Sequence, residues 1–429
     1  MRAALWLLAL FAIATASALF AGNNLAVVSI FWPPHRIDVS FNLAVLLLVG
    51  LFVLVYLALR ALSALASLPL EARRWRAQQK ERAMYGALMD ALAHQLAGRY
   101  IRATKSAQNA LAQEKSLTRL ANESGHLPGY SPLRASQLQS IANLLVAESA
   151  QALQNKELRD QHLQLAMQSS TPRYAQEMRE GVQFRAARWA LDDSDAIAAL
   201  DALAQLSQGA ARRTLALRMK LRATRQLKQT QQALDAARLL AKHRAFSSAA
   251  AQSILRSLGL ELLSEAHEPA QLEQAWAALD ENERAMPELV VHAASRLMAL
   301  QGDAALARAW LLSVWLQFAQ GDSSFSDSLR IKMVGALELG MESVDVVWLA
   351  RIEAAQTARP RDANLQYLAG MACMSRRLWG KAQQLLSQAA LGLQDPGLHR
   401  KAWRALAELA EQREDAEAAS YAYKQAAHV

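Results

Sequence analysis

The residues of this chain with chemistry to offer are nine histidines, one cysteine and a close set of aspartates, and their spacing brings none of them together. His94, His162 and His292 fall in helical stretches and His126 in a turn, so each reads as an ordinary surface or partly packed histidine. Cys373 sits at a small-residue packing position and reads as core; with a single cysteine, no intramolecular disulfide or multi-cysteine metal site exists. Asp192, Asp193 and Asp195, in "LDDSDAIAAL", read as the start of a helix, where carboxylates meet the positive end of its dipole. No two glycines are separated by a single residue, so the dinucleotide loop G-x-G-x-x-G is absent, as are a Walker loop and H-E-x-x-H. No catalytic residue, metal site or cofactor is expected from these residues. No basic stripe with interleaved aromatics points to nucleic acid.

The elements are more informative than the chemistry. Beyond Glu71, apolar positions return every three or four residues in segments of Ala, Leu, Gln, Glu and Arg, broken by short turns. The breaks are Ser124–Pro132 and the pairs Thr171-Pro172, Glu268-Pro269, Met286-Pro287, Arg359-Pro360 and Asp395-Pro396. Helices broken this often, without long linkers, predict antiparallel pairs. In "AWRALAELAEQREDAEAASYAYKQAA", Trp403, Leu406, Ala407 and Ala410 form one packing stripe, and Ala419, Tyr423 and Ala426 a second. The preceding unit repeats the scheme with Gly370 and Cys373, then Trp379, Ala382, Leu386 and Ala389. Weaker copies run through Tyr100, Ala103, Ala107 and Ala110, and through Gly302, Ala307 and Leu311. The middle, with Ala233 and Leu240, fits loosely, and Arg159 stands where a small residue is expected.

These units resemble the tetratricopeptide repeat, which implies a stacked α-solenoid with a long concave groove. Carrying 100° per residue from the packed face puts Lys401, Arg404, Glu408 and Glu411 on the stripe that would line that groove. The same offset one repeat earlier selects Asn364, Tyr367, Met371 and Met374. The expected ligand of Lys401 and Arg404 is an acidic segment of a partner protein.

The amino-terminal end is of another kind. Ala3–Ala21 and Leu43–Leu62 are long apolar runs, each able to cross about 30 Å of hydrocarbon as a helix. Trp32, Tyr56 and Arg60 are placed as interfacial anchors. Arg2 and Ala16-Ser17-Ala18 also suit a cleaved signal peptide, and that alternative stays open. Between the runs, Val28, Ile30 and Trp32, then Ile37, Val39 and Phe41, alternate around Pro33-Pro34, which predicts a β-hairpin. Arg73, Arg74, Arg76, Lys80 and Arg82 follow the second run, a cluster that holds its flank in the cytoplasm and suits anionic lipid. The expected organisation is all-α: a membrane hairpin over residues 1–70, with Asn23 to Ser40 on the outer side, then a cytoplasmic repeat domain over 71–429. Both termini are expected on the cytoplasmic side of the membrane.

Two spans joined by "VSIFWPPHRIDVSF", the basic flank in "ARRWRAQQKERAMYGALMDALAHQLAGRYIRA", and degenerate repeats together resemble the proteobacterial HemY family. The resemblance implies an inner-membrane protein associated with a late stage of haem biosynthesis, so that the outer side is the periplasm. On it, the leading reading is a scaffold that gathers haem-pathway enzymes or hands on a tetrapyrrole. An unrelated flavin-dependent porphyrinogen oxidase shares the family's name, but its dinucleotide glycines are missing here. A porphyrin enzyme and a general envelope adaptor unrelated to haem are the alternatives.

Overall fold

The computed structural model describes residues 2–22, 26–124, 131–170, 175–322 and 325–428. It divides into two compact units, Met1–Met178 and Arg179–Val429.

The first unit opens with α1 (Arg2–Gly22), an antiparallel hairpin of β1 (Val27–Trp32) and β2 (His35–Ser40), and α2 (Phe41–Leu96). Pairing of Val28 with Val39 and Ile30 with Ile37 puts the apolar side chains on one face of the hairpin. On the other face the Ser29 hydroxyl and the Arg36 guanidinium both donate to Asp38, holding its carboxyl below the ordinary carboxylate range. Phe41, expected to end the second strand, instead opens α2, whose first turn is capped by the Ser40 hydroxyl.

α2 is the main departure from the expected organisation. It runs unbroken for 56 residues, so the boundary placed at residue 70 falls inside a helix, one residue after Pro69. Its first 23 residues, Phe41–Ser63, are apolar and unburied; among the described residues this is the one helix long and apolar enough to cross a membrane, and Leu10–Leu19 is a shorter apolar stretch. At 1.5 Å per residue, Phe41–Ser63 covers about 35 Å. The same helix then buries Met84, Ala87, Leu88 and Ala91 against α3 (Tyr100–Ser124). Ala103, Ala107 and Ala110 of α3 are fully buried there, because three alanines on one stripe let the two backbones approach closely. α4 (Pro132–Ala152) packs on α3, and α5 (Lys156–Ser169) on α4. Arg159, at a place expected to be small, is buried on α5 with its guanidinium donating to Gln151 and Asp160.

The second unit is helical among its described residues. It contains α6 (Gln176–Asp192), α7 (Ala196–Ala204), α8 (Gln208–Ala211), α9 (Thr214–Gln226), α10 (Thr230–Lys242), α11 (Ser248–Ser264), α12 (Pro269–Ala277) and α13 (Glu281–Arg284). After these come α14 (Pro287–Ala299), α15 (Ala304–Gln320), α16 (Asp327–Leu339), α17 (Val346–Ala358), α18 (Ala363–Ser375), α19 (Trp379–Gly392), α20 (Pro396–Glu411) and α21 (Ala416–His428). Paired helices pack side by side, and α11, α14, α16 and α18 also touch one another in series, which stacks hairpin on hairpin. One hydrophobic cluster extends from Leu217 to Leu409 through this stack, with Ala233 and Leu240 in it despite their loose fit to the repeat pattern.

One turn recurs throughout. Gly98, Gln154, Ser194, Lys228, Gln301, Arg377 and Glu414 each stand between two antiparallel helices with φ between 55° and 71°. In every case the next residue donates its N–H to a carbonyl five residues back, as Leu378 does to Cys373 and Asp415 to Ala410. This is the left-handed close that satisfies the orphan carbonyls of a helix end. Glycine is its usual occupant, yet six of these seven are not glycine. Prolines mark four further boundaries, at the starts of α4, α12, α14 and α20. The expected breaks at 125–130 and Thr171-Pro172 lie outside the described residues. Arg377 has an exposed side chain, so Arg377→Gly should relieve the left-handed strain and stabilise the protein by about 0.5–1 kcal/mol in chemical denaturation. Arg377→Val should destabilise it.

Candidate partner-binding groove

The histidines, aspartates and cysteine with chemistry to offer stay apart. His162 is buried with Nδ1 2.8 Å from the Asn143 amide oxygen, and desolvation lowers its pKa. His292 meets the Ser264 hydroxyl at 2.9 Å, and desolvation with nearby Arg296 and Lys332 lowers its pKa too. His126 lies outside the described residues. Of the three aspartates, Asp195 alone caps a helix, accepting from the Ala198 N–H; Asp192 ends α6 and pairs with Arg222. Cys373 is fully buried, and desolvation raises its pKa, so its thiol is not a ready nucleophile. No group of three or more His, Cys, Asp or Glu able to hold a metal occurs among the described residues.

The groove candidates lie on α18 and α20, which α16 joins, but not as a simple stripe. Tyr367 is fully buried rather than groove-lining. α18 has neighbours on several sides, and Leu365 through Gly370 are buried without interruption, so its middle has no free face. The Tyr367 hydroxyl donates to Glu338 Oε1 at 3.0 Å, and burial, then the Glu338 charge, raise its pKa far out of reach. Lys401 donates Nζ to the other oxygen of Glu338 at 2.9 Å. One carboxylate on α16 thus ties α18 and α20 together, and Lys401 is already engaged. Met371, Met374 and Asn364 are half-buried, and Arg404 is exposed.

On the last hairpin, Ala407 is buried, while Trp403, Leu406 and Ala410 are half-buried. The side of α20 facing the core is Leu398, Ala402, Ala405 and Leu409. Trp403 instead donates its indole N–H to His399 and meets Tyr421 edge-on. On α21 the buried stripe is Ala419, Ala422 and Ala426; Tyr423, expected in it, is 42% exposed.

Beside the Glu338 bridge opens a cavity of about 830 Å³. Met341, Met371, Met374 and Trp379 supply its apolar lining, and Glu338, Glu342, Glu408 and Glu411 its charge. No lysine, arginine or histidine lines it. At this end of the groove the lining is thus acidic, whereas the expected acidic segment was to meet Lys401 and Arg404. A neighbouring cavity of about 740 Å³ is apolar at Leu260, Val291, Leu329 and Leu339, with Arg256, Glu288, Lys332 and Lys401 as its charged lining. The sequence offered Glu408 and Glu411 on the right stripe. Glu338 and Glu342 come from another hairpin, and nothing in their spacing signals that they join.

These features define a class: a mostly helical protein of tetratricopeptide-like hairpins with one long apolar helix at its amino-terminal end. At that end, residues 27–123 match the family described as HemY protein N-terminus. No curated protein matches the chain. Among solved structures, it is similar to a chain of Naa15/Naa10 bound to HypK-THB, at 13% identity and a TM-score of 0.25, over 77% of this chain and 57% of that one. It is also similar to a chain of the APC/C hetero-tetramer Cut9-Hcn1, at 15% identity and a TM-score of 0.29, over 81% and 66%.

Proposed function

We propose that this protein is a non-enzymatic adaptor of the inner membrane that gathers enzymes of late haem biosynthesis or hands a tetrapyrrole between them. The observation that carries the reading is the continuity of α2, which takes an apolar span directly into the first packed hairpin. A tether of that kind holds a repeat array beside membrane enzymes and leaves its groove for protein contacts. The haem pathway enters through the HemY N-terminal match alone. In this reading α1 is a second span, both termini and the repeats are cytoplasmic, and the β-hairpin faces the periplasm. Arg74, Arg76 and Arg82 are exposed and Lys80 half-exposed on α2, a basic flank that follows the span on its cytoplasmic side. Arg73 belongs to the same basic flank by sequence. The second cavity, where apolar Leu260, Val291, Leu329 and Leu339 stand with Lys332, while Arg256 is paired with Glu288 and Lys401 with Glu338, favours the tetrapyrrole hand-over within the same reading.

Photo-crosslinking in intact membranes from exposed positions such as Leu391 tests this. The expected adducts are haem-pathway enzymes reached from the cytoplasmic side. Adducts confined to periplasmic proteins would overturn the orientation, and adducts with no haem-pathway protein would leave a general envelope adaptor.

A further inference from the structure

The acidic cavity beside the Glu338 bridge has the chemistry of a cation-binding groove, and we propose that it takes a basic amphipathic helix from a partner protein. The inference rests on the adaptor reading and names the kind of segment that array would hold.

Two independent features agree in sign. Glu338, Glu342, Glu408 and Glu411 bring four carboxylates to the cavity from two different hairpins. Lys401 offsets the first of these, and no ion pair forms with the other three among the described residues. The carboxyl-terminal ends of α16, α18 and α20 also converge here, at Glu338, Met374 with Ser375, and Glu411 with Gln412. Each such end carries about half a negative charge, and none of the three helices has a basic residue in its last turn to balance it. Arg376, just past α18, has its guanidinium engaged on the Val344 carbonyl. The chain as a whole carries a formal charge of +9, so this is a local reversal and not a general acidity.

The lining decides between an ion and a peptide. Met341, Met371 and Met374 are flexible and polarisable, and Trp379 adds a broad apolar face. Methionines ringed by carboxylates complement a helix with an apolar stripe and lysine or arginine beside it. About 830 Å³ holds roughly two turns of a helix about 10 Å across. A tetrapyrrole with ionised propionates is repelled by the same carboxylates, which separates this cavity from its apolar neighbour.

The test uses the full chain in maltoside micelles and two labelled 18-residue peptides. Both place leucines at i, i+3, i+4 and i+7; one carries lysine on the opposite face and the other glutamate, and empty micelles give the background. The lysine peptide should bind above background and photo-crosslink to Met371 or Met374. Glu408→Lys with Glu411→Lys should weaken it tenfold or more and strengthen the glutamate peptide, with Glu408→Gln and Glu411→Gln between. Circular dichroism establishes that each variant is folded, and the glutamine pair keeps the test in force if the lysine pair does not fold. Unchanged lysine-peptide binding in a folded variant, or crosslinks away from the groove, overturns the proposal. In membranes, equal recovery of haem-pathway enzymes by wild type and the charge-reversed protein would sink this groove and leave the adaptor standing. Their absence from both would sink the haem-pathway reading and leave a general envelope adaptor.

Discussion

Leu386→Ala is expected to destabilise the carboxyl-terminal hairpins by about 3–5 kcal/mol, the largest effect of any substitution considered for this chain. Leu386 is fully buried on α19, and its side chain occupies the space over Gly370 on α18. A Cβ built on Gly370 would lie 2.7 Å from Leu386 Cγ and 3.3 Å from the Leu386 backbone nitrogen. Glycine is thus required by a close approach of two helices, not by a turn. Gly370→Ala should therefore cost about 1–3 kcal/mol by overpacking. The double variant should cost less than the sum of the two, because the added methyl enters the space the leucine leaves. Urea unfolding followed by circular dichroism measures all three. Strict additivity would mean that the two residues do not meet.

Gln78→Pro is expected to cut the tether from the array. Gln78 is exposed near the middle of α2, so the substitution removes no packing and acts through the backbone alone. Proline inside a helix removes one hydrogen bond and clashes with the preceding turn, at a cost of about 3 kcal/mol. The break should stay local, since Met84 to Ala91 remain packed on α3. Limited proteolysis should gain a site near residue 78, and spin labels on Ser63 and Tyr85 should show a broadened distance distribution. Gln78→Ala should change neither. A proline variant as resistant and as narrow in distance as wild type would mean that the continuity of α2 is not maintained in the membrane.

Much of the architecture was legible in the residues because it depends on short-range periodicity. The alternation of Val28, Ile30, Ile37 and Val39 gave the hairpin, and the uncharged run through Phe41–Ser63 gave the long apolar helix. The 3.6-residue recurrence of Ala103, Ala107 and Ala110 gave the first packed pair. The left-handed turns escaped notice because Gln154, Lys228, Arg377 and Glu414 are ordinary helix formers; their conformation is imposed by the two helices they join. The continuity of α2 escaped for the opposite reason, since Pro69 and the change from apolar to basic composition look like a boundary while the backbone passes straight through.

The groove was the part that a helical wheel handles least well. A wheel assigns faces to one helix in isolation, and burial depends on how many neighbours that helix has. α20 is open on the side that carries Lys401, Glu408 and Glu411, so its exposed stripe follows from its own sequence. α18 lies between other helices, which buries Tyr367 and leaves Met371 and Met374 half-exposed toward its end. The sign of the groove is a longer-range matter still. Glu338 and Lys401 are 63 residues apart, and their 2.9 Å contact turns a supposed carboxylate clasp into an internal bridge. Sequence alone fixed which residues form helices and which faces are apolar, because those follow from neighbours within a turn or two. Which charges meet, and hence whether the groove attracts an acid or a base, was decided by stacking, which places side chains from distant hairpins within hydrogen-bonding reach.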